Sequence, residues 1–307
     1  MSDLPRISVV IPHLNDEAEL RLCLARLDAQ VEGTPPFEII VADNGSARPP
    51  QAACAQAVQT QVVVEPTPGP GPARNRGAAL ARGEIIAFID ADCRADPDWL
   101  LRIAQAFDAD PVLDIVAGRI RVDAAGRERN AVEDYESVFS YRVQLFVQRD
   151  RYAATGNMAV RRDVFGQVGP FGGLGEAEDR AWGQRAARLG FAIGYLPLAV
   201  VSTSGSRNFS ELATRMDRLV AHNHAERRSN AHWLFQALVM AASPARDLFV
   251  LARSSELDGP RHKLGAAGVL VRVRLYRAWR MLELMSHNWS GQHLASWNRL
   301  SETKDGQ

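Results

Sequence analysis

Short apolar runs alternate with helical repeats through the first two thirds of the chain. Runs rich in β-branched residues predict buried strands at 7–11, 37–42, 61–65, 85–89 and 114–122. After the first run, Leu20, Leu24 and Leu27 recur at helical spacing and predict a helix over 16–30 with Asn15 as its N-cap. Strands that alternate with helices are typical of an α/β domain with a largely parallel sheet.

The pattern changes in the last third. Further helices are predicted at 73–83 and 135–148, and a strand-like run at 191–201 closes the alternation. From about residue 209 the pattern is helical, without internal repeats. We therefore predict an α/β domain over 1–225 and a helical C-terminal extension over 226–307.

Polar side chains follow three of the predicted strands at the point where each strand ends. They are Asn15, the pair Asp43 and Asn44, and the pair Asp90 and Asp92. The carboxyl ends of parallel strands meet at one edge of a sheet, where ligands of open α/β sheets bind. Side chains at positions i and i+2 of an extended segment point the same way, so Asp90 and Asp92 can reach one ligand. The alternative is a solvated acidic turn.

Two carboxylates at this place favour a particular ion. Hard oxygen donors suit Mg²⁺ or Mn²⁺, and an ion with few protein ligands completes its shell with water or phosphate oxygens. The pair Asp90 and Asp92 therefore predicts a divalent metal that faces a diphosphate.

Composition narrows the class of protein. The 307 residues are 46% hydrophobic, which is enough to bury a sizeable core, and their formal net charge is zero. From residue 201 onward, 15 Lys and Arg stand against 9 Asp and Glu, so the basic part is C-terminal. We predict no nucleic-acid partner.

The cysteines and the N-terminus indicate a compartment. Cys23, Cys54 and Cys93 are widely spaced and form no CxxC, which argues against a disulfide framework and a zinc site. The opening MSDLPRISVV has neither a basic nor a long apolar segment, so secretion is not expected. The apolar stretch 233–251 is broken by Pro244 and is a poor bilayer span. We predict a cytoplasmic protein.

Six segments, in order, resemble a known family. They are VVIPHLND, VADNGS, GPGPARNRGAALARGE, FIDADC, TGNMAVRRDVFGQVGPF and EAEDRAWGQRAARLG. Together they resemble the family 2 glycosyltransferases of the GT-A fold, over roughly residues 6–205. The resemblance implies a Rossmann-like, mixed and mostly parallel sheet flanked by helices, with a nucleotide-sugar half over about 1–122 and an acceptor half over about 123–225.

The resemblance also implies the reaction. A sugar would move from a nucleotide-sugar donor, with a UDP-sugar favoured, to a glycan or lipid-linked acceptor with inversion, in bacterial surface-polysaccharide assembly. Asp92 would hold Mg²⁺ or Mn²⁺ on the donor diphosphate, with Asp90 as a further ligand and a contact to the ribose or sugar. The donor-binding residues would be Pro12, Asn15, Asp43, Asn44, Arg74 and Asp90. The chain departs from the family at Asn44, where relatives carry an acid that contacts uracil.

The resemblance assigns the catalytic base to Asp179, with Glu178 orienting the acceptor or a neighbour. A carboxylate that takes the proton of a sugar hydroxyl during attack contributes about 10² to 10⁴ in rate. The alternative is that both acids only favour the dipole of a helix N-terminus. Gly156, Asn157 and Trp182 would lie on the acceptor side, although a tight turn and a core tryptophan also explain them.

Two other functions use similar folds. A nucleotide-sugar pyrophosphorylase opens with a glycine-rich G-x-G-x-R loop, which this chain lacks. A non-catalytic nucleotide-sugar-binding protein would tolerate the loss of Asp90, Asp92 and Asp179, yet all three are present.

The basic tail adds a prediction about membranes. Residues 264–285 mix apolar residues with Arg272, Arg274, Arg277 and Arg280. We predict that these arginines contact an anionic membrane surface, on the inner face of the cell membrane. The alternatives are a helical subdomain packed on the α/β domain and a dimer interface.

Overall fold

A computed structural model describes residues 4–286, except 56, 58, 125, 226 and 228. The described residues group into two compact units. The first, which we name the sheet unit, comprises residues up to 121 together with 143–203. The second, the helical unit, comprises 122–142 and the residues from 204 onward.

An eight-stranded sheet organises the sheet unit. Its strands are β1 (Ile7–His13), β2 (Phe37–Asp43), β3 (Thr60–Val64), β4 (Ile85–Ile89), β5 (Cys93–Ala95), β6 (Ile115–Asp123), β7 (Asn157–Arg161) and β8 (Ile193–Ser204). Their order is β3-β2-β1-β4-β7-β6-β8-β5. The pairs from β3 to β4 are parallel, whereas β7 runs antiparallel to β4 and β6, and β5 runs antiparallel to β8. This mixed sheet confirms the predicted fold class.

Helices connect and cover these strands. They are α1 (Glu17–Asp28), α2 (Gln51–Cys54), α3 (Pro70–Ala78), α4 (Trp99–Ala109), α6 (Val143–Leu145), a π-helical turn (Phe146–Asp150), α7 (Arg162–Val168) and α8 (Glu178–Arg188). The N-cap of α1 is Asp16, whose carboxylate accepts from the Glu19 amide at 3.3 Å. The predicted cap, Asn15, is wrong by one residue because Asn15 adopts a left-handed backbone conformation with φ 55°.

The core of the sheet unit explains why the predicted strands form. Ile7, Val9 and Ile11 lie on one face of β1, as period-2 alternation requires, and pack in one cluster with Leu20 and Leu24 of α1. Because this burial fixes the strands, it also fixes the positions of the polar residues that follow their carboxyl ends.

The helical unit is built from α5 (Ala131–Phe139), α9 (Phe209–Ala225), α10 (Asn230–Ala242), α11 (Pro244–Ala252) and α12 (Gly259–Ser286). Helix α9, which we predicted within the α/β domain, groups with the C-terminal helices, and the helical unit starts at residue 204. Among the described residues, no single helix is long and apolar enough to cross a membrane. Helices α10 and α11 together meet that length and composition but are bent by 44°.

The arginines of α12 serve the fold of the helical unit. Arg274 binds the buried Asp247 through Nε at 3.0 Å, and Arg280 donates to Asp217 at 2.8 Å. Burial lowers the pKa of Arg277, which is what desolvation does to a cation. Arg274 and Arg280 are thus paired, and the Nε of Arg277 is buried, inside the unit, whereas Arg272 is exposed. The predicted head-group contact of α12 stays a prediction.

Candidate active site

The loop after β2 is tied to the end of β1. Asp43 is buried, and one of its carboxylate oxygens lies 3.1 Å from His13 Nδ1 and accepts from Ser46 Oγ at 2.5 Å. Burial acts to raise the pKa of Asp43, but the hydrogen bonds to His13 and Ser46 outweigh it and hold the pKa below its usual value. Pro12 pairs with Ala42 beside this cluster. Asp43 is therefore ionised and inside the fold.

The amide of Asn44 holds the next loop. Its Nδ2 donates to the carbonyls of Glu65 and Thr67 at 3.0 and 2.7 Å, and its Oδ1 accepts from the Gly69 amide at 2.7 Å. Both amide hydrogens and the oxygen are thus engaged at the N-terminus of α3. The predicted base contact of Asn44 stays a prediction, and the structure places this side chain as a loop clamp. Asn15 accepts from the Ala47 amide at 2.8 Å and so ties the turn after β1 to the loop after β2.

Arg74 joins the two ends of the site. It lies in α3, is 3% exposed, and donates to Asp90 at 2.6 Å and to Glu178 at 3.0 Å. One guanidinium group therefore links the acid at the end of β4 to the acid that begins α8. Its Nε is buried and unpaired within the described chain. Arg76, two residues on, is exposed.

Three side chains at the end of β4 form a group that could hold a metal ion. The ligand atoms of Asp90, Asp92 and Cys93 lie within 4.8 Å of one another. The Cys93 thiol donates to Asp92 at 3.6 Å, and burial and the two carboxylates raise its pKa well above the usual value. A protonated thiol is a poor ligand, whereas the carboxylates suit Mg²⁺ or Mn²⁺, so the residues present fit the predicted metal.

Gly156 lies against the same group. A Cβ at this position would sit 3.1 Å from Asp90 Oδ2, so a larger side chain would press on that carboxylate. Gly156 thus lies at the edge of the acid group, and its predicted place on the acceptor side stays a prediction.

The next residue, Asn157, is used differently. Its buried amide donates to the carbonyls of Arg119 and Ala199 at 2.8 and 2.9 Å and accepts from Trp99 Nε1 at 2.9 Å. These bonds tie β6, β8 and α4 to β7, and they use both hydrogens and the oxygen of the amide. The structure therefore places Asn157 in the fold, away from the acceptor contact that we predicted.

Trp182 is a core residue of α8. It is 1% exposed, donates to the Gly169 carbonyl at 2.8 Å, and packs against Phe165 and Phe171 with ring centroids 5.6 and 5.2 Å apart. A buried ring cannot touch an acceptor, so of the two predicted roles the structure supports the core. Its packing fixes α8 and thereby the acids at its start.

The N-terminus of α8 carries Glu178 and Asp179 in different surroundings. Glu178 is held by Arg74, whereas Asp179 accepts from the Arg180 amide at 2.7 Å. Burial, followed by the charge of Glu178, raises the pKa of Asp179 to about 6, against the opposing effects of that amide and of Arg74. A carboxylate with a pKa near 6 is ionised at neutral pH and is a stronger base than an ordinary aspartate.

The sequence matches the family described as Glycosyl transferase family 2 over residues 8–169, which is just over half of the chain. The chain belongs to glycosyltransferase family 2. The matched range contains the acid group at β4, Arg74 and Gly156, and the membership confirms the resemblance read from the motifs. The pyrophosphorylase interpretation is thereby excluded, and the protein is a glycosyltransferase.

Individual relatives agree with this assignment. Glycosyltransferase AglE of Haloferax volcanii is 29% identical over 224 residues, which cover 71% of this chain and 73% of AglE. Among solved structures, the mannosyltransferase PcManGT of Pyrobaculum calidifontis, in complex with GDP-Man and Mn²⁺, aligns with a TM-score of 0.55 at 18% identity, over 99% of this chain and 82% of PcManGT. S. aureus TarS with UDP-GlcNAc aligns with a TM-score of 0.51 at 14% identity, over 92% of this chain and 91% of TarS. These likenesses show that the fold is GT-A.

Proposed function

We propose that this family 2 glycosyltransferase moves a sugar from a UDP-sugar to a hydroxyl of a glycan or lipid-linked acceptor, with inversion and with a divalent metal. The observation that carries the proposal is the Arg74 bridge. One guanidinium group binds both Asp90, predicted to serve the donor at the end of β4, and Glu178, predicted to serve the acceptor at the start of α8. Support for a nucleotide sugar also comes from PcManGT and TarS, whose structures carry GDP-Man with Mn²⁺ and UDP-GlcNAc.

Asp92 and Asp90 are the residues that would hold the metal. Such an ion supplies charge neutralisation for the diphosphate that leaves as the glycosidic bond breaks. Asp90 has one oxygen on Arg74 and the other beside Gly156, so its direction is fixed. Arg74 also neutralises part of the negative charge of the acids around it.

Asp179 would take the proton of the attacking hydroxyl. The acceptor oxygen forms the new bond to the anomeric carbon while its proton passes to the Asp179 carboxylate and the nucleoside diphosphate departs from the opposite face. Attack in line with the leaving group inverts the anomeric configuration, as in single-displacement glycosidases. Glu178 is held by Arg74, which leaves Asp179 as the acid with the raised pKa at this end.

The dependence of turnover on pH tests this assignment. Because Asp179 has a pKa of about 6 and must be ionised to act, we expect kcat to rise about tenfold per pH unit below 6 and to level off above it. The measurement is kcat at saturating donor and acceptor from pH 4.5 to 8.5, with the melting temperature followed over the same range. A kcat that stays constant from pH 5 to 8 in folded enzyme would remove Asp179 as the base.

A further inference from the structure

Helices α10 and α11 of the helical unit carry apolar side chains on the side that faces away from the unit. We name this outward set the apolar face: Leu234, Phe235, Leu238, Val239, Leu248 and Phe249. All six are exposed, Phe235 by 62% and Leu238 by 60%. The inward side of α10 is also apolar, since Trp233 and Ala237 are buried against α12. A helix that is apolar all round is expected in a core or in lipid, and not in water.

The exposed charges that α10 and α11 themselves carry beside the apolar face are positive. Between residues 230 and 253 the sequence has a single acid, Asp247, which is buried and is bound by Arg274 and, at 3.2 Å, by Arg246. Two cations border the face. The side chain of Arg246 is 81% exposed, and the guanidinium of Arg253 lies 3.9 Å from the ring centre of Phe249. Apolar side chains bordered by arginines, without an exposed acid, are complementary to anionic lipid head groups over a hydrocarbon layer.

We infer that the apolar face docks on an anionic lipid bilayer, with its apolar side chains inserted at the interface and Arg246 and Arg253 on the head groups. The helices lie in the plane of the interface and do not cross it. Trp233 anchors α10 to α12, since its Nε1 donates to the Met281 carbonyl at 2.8 Å, and the 44° bend between α10 and α11 interrupts a straight span.

A second copy of the chain fits this face less well. In a two-fold dimer the same surface meets itself, so Arg253 and the exposed part of Arg246 would meet the same arginines of the other copy, with no acid of α10 or α11 exposed to offset them. An anionic lipid surface offers one. The docking surface also differs from the predicted one, which lies on α12, where Arg274 and Arg280 are paired with acids of the helical unit and the Nε of Arg277 is buried.

The test is sedimentation of the purified full-length protein with vesicles. The vesicles contain phosphatidylglycerol and phosphatidylcholine in equal parts, or phosphatidylcholine alone, at low salt. We expect binding to the anionic vesicles, and at least hundredfold weaker partitioning for the triple variant F235S/L238S/F249S, because removing each of these side chains from water contributes about 1.5 kcal/mol or more, which is about tenfold. The control is V112S/L198S, which removes two apolar side chains of the sheet unit that are at least about as exposed and should leave binding unchanged.

A second variant distinguishes the loss of lipid contacts from misfolding of the triple variant. Arg246→Gln with Arg253→Gln changes only exposed side chains, and we expect it to weaken binding by about fivefold for each arginine. The proposal is overturned if the wild type stays in the supernatant with anionic vesicles, if it binds phosphatidylcholine alone equally well, or if the folded triple variant binds as the wild type does. It is also overturned if light scattering shows a dimer that the triple variant converts to a monomer. The apolar face contains none of the residues proposed for glycosyl transfer. A failure of lipid binding would therefore not count against the proposed function, and the two can be told apart.

Discussion

Asp179→Asn should lower kcat by about 10² to 10⁴ while the affinity for the nucleotide sugar changes little. Asparagine keeps the shape of the side chain and its bond to the Arg180 amide but cannot take the proton of the acceptor hydroxyl. The readouts are turnover with radiolabelled donor and donor affinity by calorimetry. Retained turnover in this variant would contradict the base assignment.

The same substitution should not destabilise the fold at neutral pH. The pKa of Asp179 is raised from the usual 3.8 to about 6, so the protonated form favours folding below pH 3.8 and this contribution is lost as the pH rises through 6. Removing the charge should therefore increase the free energy of unfolding at pH 7.5 by about 1 to 3 kcal/mol, with no gain near pH 3.8. The matched control is Asp163→Asn, in the first turn of α7, which should leave turnover unchanged and, because it removes a charge that favours the helix dipole, should not increase stability.

Arg74→Met should disrupt the site and the fold together. The substitution leaves Asp90 and Glu178 without their shared cation, and removing one partner of a largely buried ion pair costs about 2 to 3 kcal/mol of stability when the other partners are partly exposed. Arg74 also lowers the pKa of Asp179. Its loss should therefore move the acid limb of the kcat profile to a pH above 6.

Two variants separate these effects. Arg76→Met changes an exposed arginine of the same helix and should leave the melting temperature and the pH profile unchanged. Arg74→Lys restores the charge but not the two-pronged contact, so we expect it to return the acid limb toward pH 6 without restoring the melting temperature. If Arg74→Met and Arg76→Met behave alike in both measurements, the bridge has no role.

The fold could be predicted largely because its signals are local. The β-branched runs predict β1 to β4, and the leucine spacing predicts α1, each to within a few residues of its bounds in the structure. The family could be recognised because its motifs are contiguous in the sequence. Strand β5 was missed because it has three residues, and with it the place of Cys93 beside the acids was missed.

The contacts of the site were harder to predict because they join distant parts of the chain. Arg74 and Glu178 are 104 residues apart in sequence, and nothing around either residue indicates that they meet. Asn44 and Asn157 were predicted to face ligands from their positions in motifs, but their amides bind backbone groups of loops and strands elsewhere in the fold. The arginines of α12 form a basic pattern in sequence, but Arg274 and Arg280 bind Asp247 and Asp217 of neighbouring helices, which the pattern does not indicate.

The central claim is that the acid group at the end of β4 binds a nucleotide sugar through a divalent metal. The most direct measurement is the melting temperature with UDP-, GDP- and dTDP-sugars, each with and without Mn²⁺, for the wild type and Asp92→Asn. We predict that a UDP-sugar with Mn²⁺ raises the melting temperature of the wild type by about 5 °C or more at 100 times its dissociation constant. The shift should vanish without the metal and in Asp92→Asn. A wild type that no nucleotide sugar stabilises in the presence of Mn²⁺, or an equal shift in Asp92→Asn, would contradict the account.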